Sequence, residues 1–306
     1  MAEKLYCAFC GGECFYRYGM EKYKIWQCQR CRTGCVNPMP EKNELIRYYE
    51  GFSPHLDMTW LYHIESSAQR LFSYFELYPG NNFKMLDIGG GGGFYSKAFE
   101  DYNYGKSTYV DLDPKSCAFA REQLKLERVF NCDAMDIKTY ADKKFDFIYC
   151  RHVIEHLVDP VAFLDKVMDY LAEDGKFVVQ IPNGNSLEYL AYPDSTIKKT
   201  IDSICNTNNF SKIQVLWIML SKGMLHAIDP PRHLWAITKE GIKRWAKKGN
   251  ITYDIYFFHL GDPAFSPYYE KEKGLKHRLQ DFVGEYLLAP IFGGTHLVAI
   301  LRRNSS

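Results

Sequence analysis

The middle of the chain alternates short apolar runs with amphipathic stretches. Five apolar runs predict buried strands, at residues 84–88, 108–112, 129–132, 144–150 and 176–181. Helices are predicted after the first two strands, from Phe94 and from Pro114, and a long one from Asp159 through Ala172, before a turn at residues 174–175. Since strands that alternate with helices build a parallel sheet covered on both faces, the pattern predicts an α/β, doubly wound fold.

Two further apolar runs follow this region. Residues 251–258 and 295–301 predict two last strands, an antiparallel pair that closes a seven-stranded, mostly parallel sheet. Between strand five and a helix at 238–248, an insertion around 184–230 contains an apolar helical stretch, Ile213 to Leu220, which we expect either to cap the mouth of the sheet or to pack as core. A second excursion, residues 268–273 and the helix after it, could line the same pocket.

Two helices are predicted before the sheet, at residues 41–50 and 58–77. The second has an apolar stripe at helical spacing, formed by Leu61, Ile64, Ala68, Leu71, Phe72 and Phe75. The predicted organisation is therefore an N-terminal module at 1–40, a helical linker or cap at 41–82, and the α/β domain at 83–306.

The first 40 residues contain two C-x-x-C pairs, Cys7 with Cys10 and Cys28 with Cys31. Each pair can supply two thiolates from one tight turn, and Zn²⁺ takes four such ligands at tetrahedral corners. Alternating residues between the pairs predict a hairpin around Gly19. The spacing predicts a zinc ribbon with a structural Zn²⁺, and we interpret Cys14 and Cys35 as ordinary small residues beside it.

Composition narrows the possible partners. Lys and Arg total 38 against 37 Asp and Glu, so no net field draws the chain to nucleic acid or to an anionic membrane. The ribbon carries only a modest basic cluster, Lys22, Lys24, Arg30 and Arg32, which favours a structural or docking role. The longest apolar run, Val215 to Leu220, is too short to cross a bilayer. Paired cysteines without a signal peptide indicate metal binding and a cytoplasmic protein.

The first strand runs into five glycines, residues 89–93. A dinucleotide fingerprint would need Gly or Ala at its sixth position, where this chain has Phe94 or Tyr95. The pattern D-x-G-x-G-x-G does fit, as Asp87, Gly89, Gly91 and Gly93. It resembles motif I of the class I S-adenosylmethionine-dependent methyltransferases.

Acidic residues follow the next two strands. An acid at the tip of strand two, Asp111 with Leu112 after it, can accept both ribose hydroxyls of a nucleoside. The resemblance implies that Asp133, with Ala134, receives the adenine amino group. It also implies the Rossmann-like fold of class I methyltransferases, with S-adenosylmethionine as the methyl donor and S-adenosylhomocysteine as the product.

The resemblance extends to a bacterial subgroup with an N-terminal zinc ribbon, through Asn-Pro-Met-Pro at 37–40, Tyr48 and Tyr49, residues 151–156 and residues 229–234. That subgroup is often linked to glycan or other small-molecule pathways. It implies a small-molecule acceptor, and we expect a hydroxyl of a saccharide or related metabolite.

Methyl transfer to a hydroxyl benefits from a general base, and histidine suits that task near neutral pH. His233, His156 and His152 are the candidates, with His233 slightly favoured because its loop is the better placed to face an acceptor. The alternative is structural: His156 shaping the pocket and His233 bonding to backbone.

Three other functions compete. Residues 152–156 spell H-x-x-E-H, a metalloprotease signature that needs a long regular helix, whereas this segment leaves a strand and meets Asp159 and Pro160 within about two turns. A zinc-ribbon rRNA or tRNA methyltransferase is the second alternative, and a non-catalytic module that binds S-adenosylmethionine is the third. The sequence leaves the oligomeric state open.

Overall fold

The structure is a computed structural model that describes residues 4–50, 56–141, 144–191, 195–222, 225, 227–259 and 275–304. Its strands are β1 (Leu5–Tyr6), β2 (Glu13–Met20), β3 (Tyr23–Cys28), β4 (Gly34–Asn37), β5 (Phe83–Ile88), β6 (Gly105–Asp111), β7 (Val129–Asn131), β8 (Phe145–Arg151), β9 (Leu171–Pro182), β10 (Trp235–Ala236), β11 (Ile251–Phe258) and β12 (His296–Arg303). Its α-helices are α1 (Lys42–Glu50), α2 (Thr59–Tyr74), α3 (Phe94–Asp101), α4 (Pro114–Glu122), α5 (Ile137–Tyr140), α6 (Pro160–Met168), α7 (Ser195–Asn208), α8 (Lys212–Lys222), α9 (Lys239–Lys248), α10 (Leu275–Phe282) and α11 (Ala289–Phe292).

A seven-stranded sheet forms the centre, in the order β11-β12-β9-β8-β5-β6-β7. The strands from β5 to β9 pair in parallel, whereas β12 runs antiparallel to both β9 and β11. The predicted doubly wound, mostly parallel sheet and its antiparallel closing pair are therefore confirmed. In this topology the carboxyl ends of β5, β6 and β7 are neighbours, so the loops after them meet at one edge.

The junction between α6 and β9 differs from the prediction. Helix α6 ends at Met168, short of Ala172, because Leu171 is already buried and paired with Phe145 of β8. The predicted turn at 174–175 lies inside β9. It sits in a register shift, since Phe145 pairs with Leu171 but Phe147 pairs with Lys176. Tertiary pairing has extended the strand into a segment that looked helical.

An aromatic cluster joins α2 to the sheet. The predicted apolar stripe of α2 is buried throughout. Phe72 is fully buried, and its ring centroid lies 5.4 Å from that of Phe99, 5.0 Å from Tyr104 and 6.2 Å from Phe147. Edge-on packing of this kind adds stability beyond burial alone. Helix α2 is therefore part of the α/β core.

A second sheet has the order β1-β2-β3-β4-β10 and contains the predicted ribbon. The hairpin turns at residues 21–22, so the expected turn around Gly19 is wrong: Gly19 lies within β2 and pairs with Lys24. Its backbone N–H donates to Asn208 Oδ1 and its carbonyl accepts from Asn208 Nδ2, both at 2.8 Å. A Cβ at Gly19 would stand 2.8 Å from Thr207, so the glycine permits close approach of α7.

The ribbon sheet continues into the α/β part of the chain. Strand β10 pairs with β4, placing Trp235 opposite Cys35 and Ala236 opposite Gly34. The predicted helix in the insertion is confirmed as α8, whose Val215 and Met219 pack in one buried cluster with ribbon residues. Residues 268–273, expected to line a pocket, lie outside the described residues.

No described helix is both long enough and apolar enough to cross a membrane.

Replacing Phe72 by Ala tests the aromatic cluster. Because the side chain is fully buried among three rings, we expect Phe72→Ala to lower the free energy of unfolding by about 3–5 kcal/mol in urea titrations. Tyr78→Ala, at a side chain 57% exposed, is the control. A loss below about 0.5 kcal/mol for Phe72→Ala, the range of ordinary surface substitutions, would contradict this packing.

Candidate functional site

The glycine loop connects β5 to α3 in a backbone conformation that glycine allows. Gly89, Gly91 and Gly93 have φ of 68°, 57° and 75°, in the left-handed region that side chains disfavour. Gly93 is the N-cap of α3, so the first turn of that helix follows the loop directly. A Cβ on Gly91 would meet no atom of the described residues within 4 Å. The loop therefore leaves open space beside its backbone at Gly91, while the N–H groups of Gly89, Gly90, Gly91 and Gly93 bond within the protein.

Asp87 supports the loop from within the protein. It is buried, accepts a hydrogen bond of 2.7 Å from Ser96 Oγ, and burial raises its pKa to about 7. A Cβ on Gly90 would lie 2.8 Å from Asp87 Oδ2, so the carboxyl group packs directly against the loop backbone. The first acid of the motif therefore fixes the shape of the loop.

Asp111 ties the tip of β6 to the glycine loop. Its Oδ2 accepts a 2.8 Å hydrogen bond from the backbone N–H of Gly91, and its Oδ1 accepts one of 2.9 Å from Asp113. Tyr109 donates its hydroxyl to the Gly91 carbonyl at 2.5 Å. Burial raises the pKa of Asp111 to about 6. A carboxylate has about four acceptor positions, so Asp111 retains capacity for further donors.

The third predicted pair follows β7. Asp133 is exposed and its Oδ1 accepts from the Met135 N–H at 2.8 Å, while the Ala134 carbonyl accepts from the Tyr140 hydroxyl at 2.5 Å. The backbone N–H of Cys132 bonds to the carbonyl of Asp111 at 3.2 Å. The eight predicted cofactor residues, including the 54% exposed Leu112, thus line the adjoining carboxyl ends of three neighbouring strands.

The loop after β8 touches the glycine loop and carries the first two histidines. A Cβ on Gly89 would lie 2.3 Å from Val153 Cγ2, so the two loops are in close contact. His152 Nδ1 lies 3.0 Å from Glu155 Oε1, and a short 3₁₀ turn at Ile154–His156 follows. A 3₁₀ turn is too short for the helical metalloprotease geometry, which argues against that alternative.

A second loop brings His233 to the same place. The N–H of Leu234 donates to the Glu155 carbonyl at 2.8 Å, and Trp235 Nε1 donates to the Leu157 carbonyl at 2.8 Å. These bonds put the ring centroids of His156 and His233 4.7 Å apart. The structure therefore brings His152, His156 and His233 together after the end of β8.

Burial sets the charge of this group. It lowers the pKa of His152 to about 3 and also lowers the pKa values of His156 and His233, so the three imidazoles are neutral at pH 7. Burial raises the pKa of Glu155 to about 7. Neutral imidazoles can accept a proton or bind a metal, but a strongly lowered pKa weakens them as bases.

Two residues of this cluster were not singled out as site residues. Glu155 was considered only as part of the protease pattern, yet its carboxyl group lies between His152 and His156. Tyr49 was noted only for the family resemblance, and its hydroxyl lies 3.0 Å from His156 Nδ1. That contact joins residues 107 positions apart, so no local pattern could have indicated it.

The four ribbon cysteines form a second candidate site. Cys7 Sγ lies 3.5 Å from Cys31 Sγ, Cys10 Sγ lies 3.4 Å from Cys28 Sγ, and all four sulfurs lie within 4.8 Å of one another. Four converging sulfurs are the ligand set of structural Zn²⁺ sites. Cys14 and Cys35 are not members of this cluster of four.

A cavity of about 520 Å³ opens elsewhere, between the ribbon and the end of β9. Arg32, Asn183, Thr238 and Phe257 are among its lining residues. Its lining, as far as the described residues show, includes neither the predicted cofactor residues nor the three histidines.

Comparison with known families decides the nature of the α/β segment. Residues 86–179 match the family model described as a methyltransferase domain. This segment is a methyltransferase domain. The match begins in β5, includes the whole glycine loop and ends in β9, so the resemblance drawn from Asp87 and the glycines is confirmed.

Curated relatives match this chain over only part of their own length. A ubiquinone biosynthesis O-methyltransferase from Idiomarina loihiensis is 32% identical, over 35% of this chain and 45% of the relative. One from Coxiella burnetii is 29% identical, over 35% of this chain and 46% of the relative. The chain thus spans about half the length of these relatives.

Solved structures of low identity also resemble the chain. An S-adenosylmethionine-dependent methyltransferase from Archaeoglobus fulgidus is 19% identical and covers 81% of this chain and 100% of its own, with a TM-score of 0.48. A plantazolicin methyltransferase in complex with S-adenosylhomocysteine is 18% identical and covers 87% of this chain and 92% of its own, with a TM-score of 0.48.

Cobalt replacement tests the cysteine cluster. We expect metal-free protein to take up Co²⁺ with the strong near-ultraviolet absorption of thiolate-to-cobalt charge transfer, because four sulfurs converge there. Cys28→Ser should weaken that band and Cys205→Ser, at a cysteine outside the cluster, should leave it unchanged. A wild-type protein without a thiolate band would contradict the predicted site.

Proposed function

We propose that this protein transfers a methyl group from S-adenosylmethionine to a small-molecule acceptor. The observation that carries the proposal is the hydrogen-bonded unit of the glycine loop and Asp111, which lies against the loop that carries the histidines. Cofactor and acceptor sites would then adjoin at the carboxyl edge of the sheet, where ligands of open α/β sheets bind.

The glycine loop, Asp111 and the pair Asp133 and Ala134 have distinct tasks in this proposal. The glycine loop would let the methionine portion of the cofactor approach the backbone beside Gly91, where none of the described side chains occupies the space. Asp111 would accept the ribose hydroxyls with its remaining lone pairs. Asp133 and Ala134 would receive the adenine ring at the next strand end.

Methyl transfer mainly requires that the protein align the acceptor with the methyl donor. The sulfonium group of the methyl donor supplies an already activated methyl carbon. The protein has to hold the acceptor oxygen in line with the carbon–sulfur bond and keep water away, and such positioning can lower a barrier by about 7–11 kcal/mol. As the oxygen–carbon bond forms, the carbon–sulfur bond breaks and its electron pair stays on sulfur. The hydroxyl proton has to leave as well.

The acceptor is proposed to be a hydroxyl compound. The named O-methyltransferase relatives support a small molecule with a reactive oxygen. The balance of 38 basic and 37 acidic residues gives no field for RNA. Our finer proposal, a hydroxyl of a saccharide or related metabolite, rests on the ribbon-bearing subgroup, and His233, His156 and His152 are the residues that would handle its proton.

The ribbon is proposed to hold a structural Zn²⁺. Four thiolates would close its coordination sphere and leave no position for a substrate. The metal would fix the ends of β2 and β3, and the pairing of β4 with β10 would transmit that order to the loop of His233. Unoxidised thiols of this kind fit the reducing cytoplasm.

Calorimetry tests the cofactor site. We expect wild-type protein to bind S-adenosylmethionine and S-adenosylhomocysteine, and Asp111→Ala to weaken both by about 10- to 100-fold, because a charge-assisted hydrogen bond contributes about 1.5–3 kcal/mol. Asp101→Asn is the control, since this carboxylate pairs with Lys97 at the far end of α3. Equal affinities for wild type and Asp111→Ala would contradict the assigned ribose contact.

Turnover separates the competing functions. Protein given methyl-tritiated S-adenosylmethionine with a panel of saccharides, sugar phosphates and catechols should put tritium into a small molecule. Label in added rRNA or tRNA would support the RNA alternative instead. Cofactor binding without label in the panel, in RNA or in a cell-extract metabolite fraction would favour the non-catalytic module.

A further inference from the structure

Glu155, His156 and His233 converge at the mouth of the methyltransferase domain. One ligand atom from each lies within 4.8 Å of the other two. We propose that these three residues bind a divalent transition-metal ion, distinct from the ion of the cysteine cluster. Two imidazoles and one carboxylate form the ligand set of many mononuclear sites that keep a position open for substrate.

The hydrogen bonds of the two rings match those of metal-bound histidines. His156 Nδ1 lies 3.0 Å from the Arg232 carbonyl, so a proton on Nδ1 leaves Nε2 free as the ligand atom. The ring of His233 also has a hydrogen bond to the backbone of Ala227. Metal-ligating histidines characteristically donate their other N–H to such an acceptor, which fixes ring orientation.

The carboxyl group of Glu155 supports the metal site independently of the two histidine rings. Its side chain is only 2% exposed; Oε1 lies 3.0 Å from His152 Nδ1, but Oε2 is buried without a hydrogen-bond partner among the described residues. Burying a carboxylate oxygen unpaired is costly, so native proteins usually satisfy it. Its neighbour Oε1 lies 4.0 Å from His156 Nε2, close enough for an ion to bridge the two side chains.

The ligand chemistry limits the identity of the ion. Imidazole suits Zn²⁺, Co²⁺, Fe²⁺ and related ions, whereas Ca²⁺ and Mg²⁺ prefer oxygen ligands alone. Three protein ligands leave at least one coordination position open. His152 would act as a positioning residue, since it holds Glu155 Oε1.

This inference rests on the proposed function and adds a way to activate the acceptor hydroxyl. The site adjoins Val153, whose side chain packs against Gly89 of the cofactor loop. An acceptor hydroxyl bound to the ion would have a lowered pKa and lose its proton to water. The resulting oxygen anion would attack the methyl carbon, and the carbon–sulfur electron pair would remain on sulfur. His156 and His233 would then serve as ligands in place of general bases.

Cobalt titration of the zinc-loaded protein tests the site without a variant. In metal-stripped protein given one equivalent of Zn²⁺, which fills the cysteine cluster, we expect one Co²⁺ per chain to bind, with visible absorption but no thiolate charge-transfer band. Failure of the folded, zinc-loaded protein to bind Co²⁺, or a cobalt spectrum dominated by thiolate bands, would overturn the proposal.

Variants assign the ligands. Glu155→Gln and His233→Gln should each lower the metal content from two ions per chain to one, measured by elemental mass spectrometry on protein with unchanged circular dichroism. His259→Gln is the matched control, because His259 Nδ1 also lies near a carboxylate, 3.6 Å from Glu188 Oε1, yet belongs to no three-residue cluster among the described residues. Two ions retained in both ligand variants would refute the assignment.

The outcome is separable from that of the proposed function. Metal content is measured without S-adenosylmethionine, so a protein that methylates an acceptor but holds only one ion refutes this site alone. A protein that holds two ions and ignores S-adenosylmethionine refutes the methyltransferase function and leaves the metal site standing.

Discussion

The carboxylate of Asp111 accepting the backbone N–H of Gly91 is the contact on which the candidate site depends. It joins the end of one strand to the loop that follows its neighbour. Asp87, packed beneath Gly90, holds the loop from the other side. A glycine-rich turn is costly to order, because glycine loses the most conformational freedom on folding. Two carboxyl groups with fixed partners offset that cost and leave the space beside Gly91 open.

A second constraint lies in the loop before α9. The bond from Leu234 N–H to the Glu155 carbonyl, and the pairing of Trp235 with Cys35, attach this loop to the end of β8 and to the ribbon sheet at once. The cysteine cluster and the histidine cluster are therefore connected through a few residues of backbone. Through the pairing of β4 with β10, the ribbon contacts the loop that carries His233.

The sequence predicted those features that are encoded locally. Strand periodicity located the seven-stranded sheet, and Asp87, Asp111 and Asp133, each at the end of its own strand, meet at one edge of that sheet. Predictions failed where distant packing decides the conformation: Gly19 allows α7 to approach rather than forming a turn, and pairing with β8 ends α6 early. The sequence did not single out Glu155 as a site residue. Glu155 and His233 are 78 positions apart in the chain, and they come together only when their two loops meet in the fold. The unsatisfied Oε2 of Glu155 is likewise visible only in the structure.

The central claim is that the edge formed by the glycine loop and Asp111 binds the adenosyl group of S-adenosylmethionine. A crystal structure of the protein grown with S-adenosylhomocysteine tests it most directly. We expect ribose hydroxyls within hydrogen-bond distance of the Asp111 carboxylate, adenine beside Asp133 and Ala134, and the sulfur facing the loop of His156. Density for the nucleoside elsewhere, with an empty space beside Gly91, would contradict it.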